Sequence, residues 1–265
     1  MIDSGSLFDL AFDDHGHGEV VVLLPPFPFD RRFWSATGAA LASAGFRSIA
    51  IDYPGFSPDG TDGPTLPSAL SVAVIADRTA GLLHQLAVDR ANLLGMSMGG
   101  YVALAFAARF PERLNKLILA DTRATPDSEA ALRGRAEALE TIATRGVDAY
   151  LDSSLPRLLS PDATPATLAV ERALAVTRAD ALVAGIGALR DRPDRSADAR
   201  LLGCPTLVLC GERDQVTPPA EMKELAGTIP TARYVELPAV GHLSALEAPD
   251  GFHRAILTFL SEPAA

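Results

Sequence analysis

A serine, a histidine and a carboxylate, far apart along a chain, can together open an acyl bond, and this 265-residue sequence offers such a set. The serine is Ser97, in Gly95-Met96-Ser97-Met98-Gly99. A serine hydroxyl is a weak nucleophile until a neighbouring base takes its proton. The candidate base is His242, in "LPAVGHLSALEAP" (237–249), a loop between the last strand-like run and the last helix-like one. His15 and His17 fall in an expected turn, and His84 and His253 within expected helices, where surface or packing roles suffice. A third group must hold the imidazole tautomer and stabilise the imidazolium. Two aspartates end strand-like runs: Asp214 in "VLCGERDQVTPP" (208–219) and Asp121 in "LILADTRA" (117–124). Asp214 is preferred. The polar turn Gly211-Glu212-Arg213 lifts it above a sheet edge, and Pro218-Pro219 restrict the return of the chain. Asp121 runs straight into "TRATP", where it could cap the next helix or pair with Arg123.

These residues need a scaffold that brings loops together. Five short apolar runs read as strands buried on both faces: "VVVLL" (20–24), "RSIAID" (47–52), "RANLLG" (90–95), "KLILAD" (116–121) and "PTLVLC" (205–210). A sixth, "ARYVEL" (232–237), is weaker. Helix-like segments over 34–44, 71–87, 98–109, 218–227 and 249–261 alternate with them. In the second, Ala76, Leu82, Leu83 and Leu86 share one face beside Asp77, Arg78, His84 and Gln85. Alternation of this kind predicts βαβ units and a mostly parallel sheet flanked by helices, an α/β fold. "LFDLAFDDHGHGEVVVLL" (7–24) reads as a hairpin turning at "DDHGHG", a turn rather than a metal site.

Residues 123–200 break the alternation. They are rich in Ala, Arg, Asp and Glu and read as helices interrupted by Gly146, Pro156, Pro161, Pro165 and Pro193. The expected division is a core of 1–122 and 201–265 with a helical cap, 123–200, inserted between two strands. In an open parallel sheet ligands bind beyond the carboxyl ends of the strands. Ser97 meets that geometry, because its pentapeptide follows a strand-like run and opens the helix-like "YVALAFAARF" (101–110). Such a turn strains the serine and demands small neighbours, which Gly95, Gly99 and Gly100 supply. The plain alternative is a serine that merely caps a helix after a glycine turn.

Net charge is −10, with 48% hydrophobic and 21% charged residues, an ordinary globular composition without the basic footprint of a nucleic-acid binder. Cys204 and Cys210 would lie on one strand about 20 Å apart, too far to bridge, as buried thiols of a reducing compartment. The start "MIDSGSLFDLAFDD" has acidic residues where a signal peptide would carry basic ones and no apolar core, so none is expected there, and no apolar run approaches a membrane span. A cytoplasmic protein without nucleic-acid or membrane partners is expected; its oligomeric state is not written in the sequence.

The chain resembles the α/β-hydrolases of the subgroup holding 3-oxoadipate enol-lactonases, cofactor-free haloperoxidases (perhydrolases) and related esterases. The resemblance rests on "IDYPGFSPDG", "LLGMSMGGYVALAFAARFPERLNKLILADTRA", "GCPTLVLCGERDQVTPP" and "VGHLSALEAP", and on the order Ser97, Asp214, His242. It implies that these three are the catalytic triad and that the insertion is a cap shaping the pocket. It also implies an oxyanion hole after the third strand. There the relatives carry His-Gly, and this chain has Pro25 and Pro26 in "LLPPFPFD". Proline lacks an N–H, so Phe27 is the remaining donor of that loop, with Met98 as the second. Phe29, Trp34 and Met96 are candidate apolar walls, each equally able to be core. Arg123 is a candidate for a substrate carboxylate, or a tie between cap and body. The implied activity is hydrolysis of a small carboxylic ester or lactone without cofactor or metal. The same set also serves C–C bond hydrolysis and perhydrolysis, and a silent fold that only binds a ligand is the reading from another class. A dinucleotide site is disfavoured because "PPFPFD" replaces G-x-G-x-x-G after the first parallel strand.

Overall fold

The computed structural model describes residues 10–57, 66–67 and 69–263. Its strands are β1 (Phe12–Gly16), β2 (Val20–Leu24), β3 (Arg47–Ile51), β4 (Ala91–Met96), β5 (Leu114–Ala120), β6 (Thr206–Gly211) and β7 (Ala232–Leu237). They form one sheet in the order β1-β3-β2-β4-β5-β6-β7, parallel except for β1. Every residue of β2, β4 and β6 is buried, as continuous apolar runs covered on both faces require. Each buried Val or Leu contributes about 1.5–3 kcal/mol, so these central strands anchor the core.

Helices α1 (Ser35–Ser43), α2 (Val72–Gln85) and α3 (Met98–Arg109) connect the first strands. Ser71 starts α2 by accepting from Val74 N at 3.2 Å, and Val72, Ile75, Ala76, Thr79, Leu82 and Leu83 form its buried face. Between β5 and β6 run α4 (Glu129–Arg145), α5 (Val147–Ser154), a 3-10 turn at Leu155–Leu158, α6 (Pro165–Leu174), α7 (Ala179–Arg190) and α8 (Ser196–Arg200). Then follow α9 (Pro219–Thr228), the short α10 (Ser244–Glu247) and α11 (Pro249–Leu260). Among the described residues, no helix is long and apolar enough to cross a membrane.

Two expectations need correction. β1 and β2 do not form a hairpin: β1 pairs antiparallel with β3, and β3 lies between them. The reason is burial. β2 is apolar on both faces and takes β3 and β4 as parallel flanks, whereas the half-exposed β1 suits the rim. Asp13, Asp14, His15 and Gly16 are therefore strand, and the turn is confined to the residues after Gly16. Residues 7–9 of the expected hairpin, and 58–60 of "IDYPGFSPDG", lie outside the described residues. The second correction is Cys204. It precedes β6 and is only half-buried, whereas Cys210 is buried in the strand; both are free thiols. Pro205, which has no N–H, separates Cys204 from the strand.

The register aligns the carboxyl ends. Leu24 faces Gly95, Met96 faces Ala120, Ala120 faces Leu209, and Gly211 faces Leu237. The segments leaving these strands begin at Pro25, Ser97, Asp121, Glu212 and Pro238. One rim of the sheet thus gathers all the candidate residues at strand ends.

Candidate active site

Ser97 sits between β4 and α3 with φ 52° and ψ −114°, a conformation costing a non-glycine residue about 1–3 kcal/mol. Close packing enforces it. A Cβ on Gly95 would lie 2.2 Å from the Gly99 carbonyl oxygen, and one on Gly99 2.0 Å from that of Leu24. Ser97 N donates to Ala120 O at 2.9 Å, and Thr122 Oγ1 donates to Ser97 O at 2.8 Å. The turn is therefore pinned by the end of β5 through the serine N–H and by the segment just after β5 through the serine carbonyl. Although Ser97 occupies the N-cap position of α3, its side chain makes no capping bond. Its Oγ lies 2.8 Å from His242 Nε2.

His242 is 2% exposed, and its Nδ1 lies 2.8 Å from Asp214 Oδ2. Asp214 is itself held at several points. Its Oδ1 accepts from Val216 N at 2.7 Å and Thr217 N at 2.9 Å, and its Oδ2 from Thr217 Oγ1 at 2.5 Å. The His242 loop is fixed from two directions: His242 N donates to Leu158 O at 2.9 Å, and Gly241 N to Glu247 Oε1 at 2.9 Å. Glu247 Oε2 also accepts from Ser160 N at 2.9 Å, so this one carboxylate clamps the loop to the segment between β5 and β6. The sequence reading missed Thr217 and Glu247. A signal existed for Thr217, three residues after Asp214, where a short side chain can turn back. Nothing local marks Leu158 or Ser160, whose role depends on how a distant segment folds back.

Electrostatics follow the geometry. Burial acts to lower the His242 pKa, but the charge and hydrogen bond of Asp214 outweigh it and the net shift is upward. Burial acts to raise Asp214, yet His242 and Thr217 outweigh that and hold it below its ordinary range. A hydrogen-bonded line of serine, raised imidazole and ionised carboxylate can take a proton from the hydroxyl and stabilise the resulting imidazolium.

Asp121 behaves differently. It neither caps α4, which Ser128 does by accepting from Ala131 N at 3.2 Å, nor pairs with Arg123. Instead its Oδ1 accepts from Gly211 N at 2.8 Å and its Oδ2 from Ser244 Oγ. The positive φ of Asp121, 46°, turns the side chain inward to reach them. Burial, reinforced by the nearby Asp214 charge, pushes Asp121 up to about 8.

Phe27 lies in the loop after β2. Around it Tyr53 Oη donates to Pro25 O at 2.6 Å, Phe29 N to Pro26 O at 2.9 Å, and Val176 N to Pro28 O at 2.9 Å. Among the described residues, the N–H groups of Phe27 and Met98 have no hydrogen-bond partner. Met98 is the first residue of α3, where an N–H has no carbonyl a turn earlier to bond. Phe29 and Trp34 are fully buried in an aromatic row, with Phe33 4.9 Å from Trp34 and Phe252 6.2 Å from it. Met96 is the fully buried last residue of β4. Arg123 donates to Val216 O and lies 3.3 Å from Glu221. The other histidines lie elsewhere: His15 in β1, His17 in the turn after it, His84 in α2, and His253 in α11 beside Thr37.

Asp121, Cys210 and Asp214 bring potential metal-ligating atoms within 4.8 Å of one another. The Asp121 oxygens accept from Gly211 N and Ser244 Oγ, the Asp214 oxygens from Val216 N, Thr217 N and Thr217 Oγ1 with His242 Nδ1 at 2.8 Å, and Cys210 Sγ donates to Gly211 O at 3.3 Å, so these donors are already engaged within the protein. This donor set does not fit a cation.

The α/β hydrolase fold model matches residues 19–249. The chain is similar to a thermophilic esterase from Thermogutta terrifontis, in a malate-bound structure, at 36% identity and a TM-score of 0.88, covering 95% of this chain and 92% of that one. It is similar to the enol-lactonase from Burkholderia xenovorans LB400 at 29% identity and a TM-score of 0.86, covering 96% of each. It is also 27% identical over 278 residues to the 2-hydroxy-6-oxononadienedioate/2-hydroxy-6-oxononatrienedioate hydrolase of Paraburkholderia phymatum, covering 99% of this chain and 94% of that one. A mostly parallel sheet with its loops gathered at one rim, a family match spanning most of the length and relatives that are hydrolases agree: the chain belongs to the α/β hydrolase fold family and is an enzyme of it.

Proposed function

We propose that the protein is a serine hydrolase that cleaves a small carboxylic ester or lactone through an acyl-enzyme on Ser97. The observation that carries the reading is the unbroken line from Ser97 Oγ to His242, 2.8 Å, and from His242 to Asp214, 2.8 Å. Ser97 Oγ attacks the carbonyl carbon while its proton passes to His242 Nε2. Asp214 stabilises the imidazolium without taking the proton. The oxyanion is held by the free N–H groups of Phe27 and Met98. The tetrahedral adduct then collapses, breaking the bond to the leaving oxygen, which takes the proton from His242 Nε2. Water enters, gives a proton to His242 and attacks the acyl carbon. Collapse of that second adduct returns the proton to Ser97 and releases the carboxylic acid.

Residues 123–200 serve as the cap over this site, and Arg123 at its root ties the cap to the α9 side of the core. The named activities of the esterase and the enol-lactonase support an oxygen ester as the bond cleaved.

The test is a panel of p-nitrophenyl acetate, short-chain esters, lactones, ring-cleavage diketones and a short carboxylic acid with hydrogen peroxide, with fluorophosphonate labelling mapped by peptide mass. Ester or lactone turnover with the label on Ser97 is expected. Turnover of diketones alone would move the assignment to C–C bond hydrolysis. Peroxide-dependent acid turnover alone would move it to perhydrolysis. A folded protein inert to every substrate and label would make it a binding protein.

A further inference from the structure

The loop that carries Phe27 is held by the helical insertion as well as by its own strand. Phe29 forms an isolated antiparallel bridge with Ala175, and Val176 N donates to Pro28 O at 2.9 Å. The segment joining α6 to α7 is thus stitched to the two residues that follow Phe27. A second contact comes from α7 itself. A Cβ on Gly185 would lie 2.5 Å from Phe27 Cε2 and 2.9 Å from both Phe27 Cδ2 and Phe56 Cζ. The Phe27 ring has little room to retreat, because it is buried and meets Phe56 edge-on with centroids 6.1 Å apart. Helix α7 therefore sits on the ring at a distance that only a glycine permits.

We propose that Gly185 is a positioning residue for the oxyanion hole. Its missing side chain lets α7 press the Phe27 ring into place, and the Ala175–Val176 strap fixes the backbone beyond it, so that the Phe27 N–H is aimed by the insertion. The inference rests on the reading of Phe27 as an oxyanion donor. A side chain at 185 must move either the ring or the helix. Both movements reach the donor, one through the Phe27 backbone and the other through the strap. Removing one such donor outright costs about 10²–10³ in kcat, and a displaced donor forfeits part of that. Ground-state binding depends on it far less, because the donor acts on charge that develops only in the transition state.

Gly187 is the internal control. It lies on the same helix, and a Cβ there meets nothing within 4 Å. Gly185→Ala and Gly187→Ala gain the same helix propensity, so only contact with Phe27 and Phe56 separates them. The experiment compares kcat, KM and inhibition by phenylboronic acid, whose tetrahedral adduct on Ser97 is an anion with a hydroxyl oxygen where the oxyanion would sit, in the wild type and both variants. Gly187→Ala should match the wild type. Gly185→Ala should lose roughly ten- to hundredfold in kcat and a similar factor in boronate affinity, with KM within about twofold. Absence of turnover in the wild type and Gly187→Ala would overturn the hydrolase reading and this inference with it. Turnover in those two and unchanged kcat in folded Gly185→Ala would overturn the inference alone. If Gly185→Ala does not fold, Phe27→Leu is compared with Gly185→Ala/Phe27→Leu, which lacks the atom nearest the new methyl. Equality within about threefold supports the coupling, and any larger further loss overturns it.

Discussion

His242 Nδ1 meets Asp214 Oδ2 at 2.8 Å, while Asp121, at the end of the neighbouring strand, turns its carboxylate to Gly211 N and Ser244 Oγ. Two acids at one rim thus face different partners. Asp214→Asn should lower kcat by roughly 10⁴, because the imidazole loses its orienting anion. Asp121→Asn should retain turnover within about tenfold, since an amide can still accept from Gly211 N and can donate to Ser244 Oγ. The two variants are compared by kcat and melting temperature. Loss of turnover in Asp121→Asn with retention in Asp214→Asn would reverse the roles.

The pH profile follows from the direction of the His242 shift. The imidazole must be neutral to accept the Ser97 proton, and its pKa is raised in the fold. The acid limb of kcat/KM should therefore have its midpoint above the ordinary value of about 6.5. Asp214→Asn should move that midpoint down, because burial then acts on the imidazole without the larger of the two carboxylates that oppose it. A wild-type midpoint below about 6 would contradict the assignment of His242 as base.

Glu171 in α6 predicts how stability responds to pH. It is 1% exposed, its Oε1 has no hydrogen-bond partner, and burial together with Glu247 pushes it up to about 8. The folded pKa lies above the unfolded one, so this stability is complete below about 4.5 and is lost as pH rises through about 8. Glu171→Gln does not titrate. Its melting temperature relative to the wild type should rise between about pH 5 and pH 9, at roughly 2–4 °C for each kcal/mol recovered. An offset constant across that range would show that Glu171 is not strained by ionisation.

Turnover should survive dialysis against EDTA, because the donor atoms of the Asp121, Cys210 and Asp214 cluster are engaged within the protein and the proposed chemistry needs no Lewis acid. Loss of turnover in EDTA with recovery on adding zinc would overturn this.

Strands such as Val20–Leu24 and Ala232–Leu237 were legible in the sequence because apolar runs bounded by turn residues report burial locally. Strand pairing was not. β1 and β2 are adjacent in sequence, yet their partners are set by which faces must be covered, a property of the whole sheet. That Ser97, Asp214 and His242 come together was legible, because serine, base and acid chemistry restricts residue type and order. What steadies them was not: Glu247 reaches Ser160, and α7 reaches Phe27, across a chain path that no short pattern encodes. Asp121 was read against two local partners, whereas its actual partners come from β6 and from the start of α10, both distant in sequence.

The central claim is that Ser97 is the nucleophile, and Ser97→Ala tests it most directly. The serine hydroxyl makes its hydrogen bond to His242 and none to the helix it begins, so its loss should leave the fold intact. Ester turnover by the folded variant is to be measured beside the wild type, with circular dichroism and melting temperature as checks on structure. The account predicts a fall in kcat of roughly 10⁴–10⁶ at little cost in stability. Turnover within about tenfold of the wild type in a folded Ser97→Ala protein would contradict it.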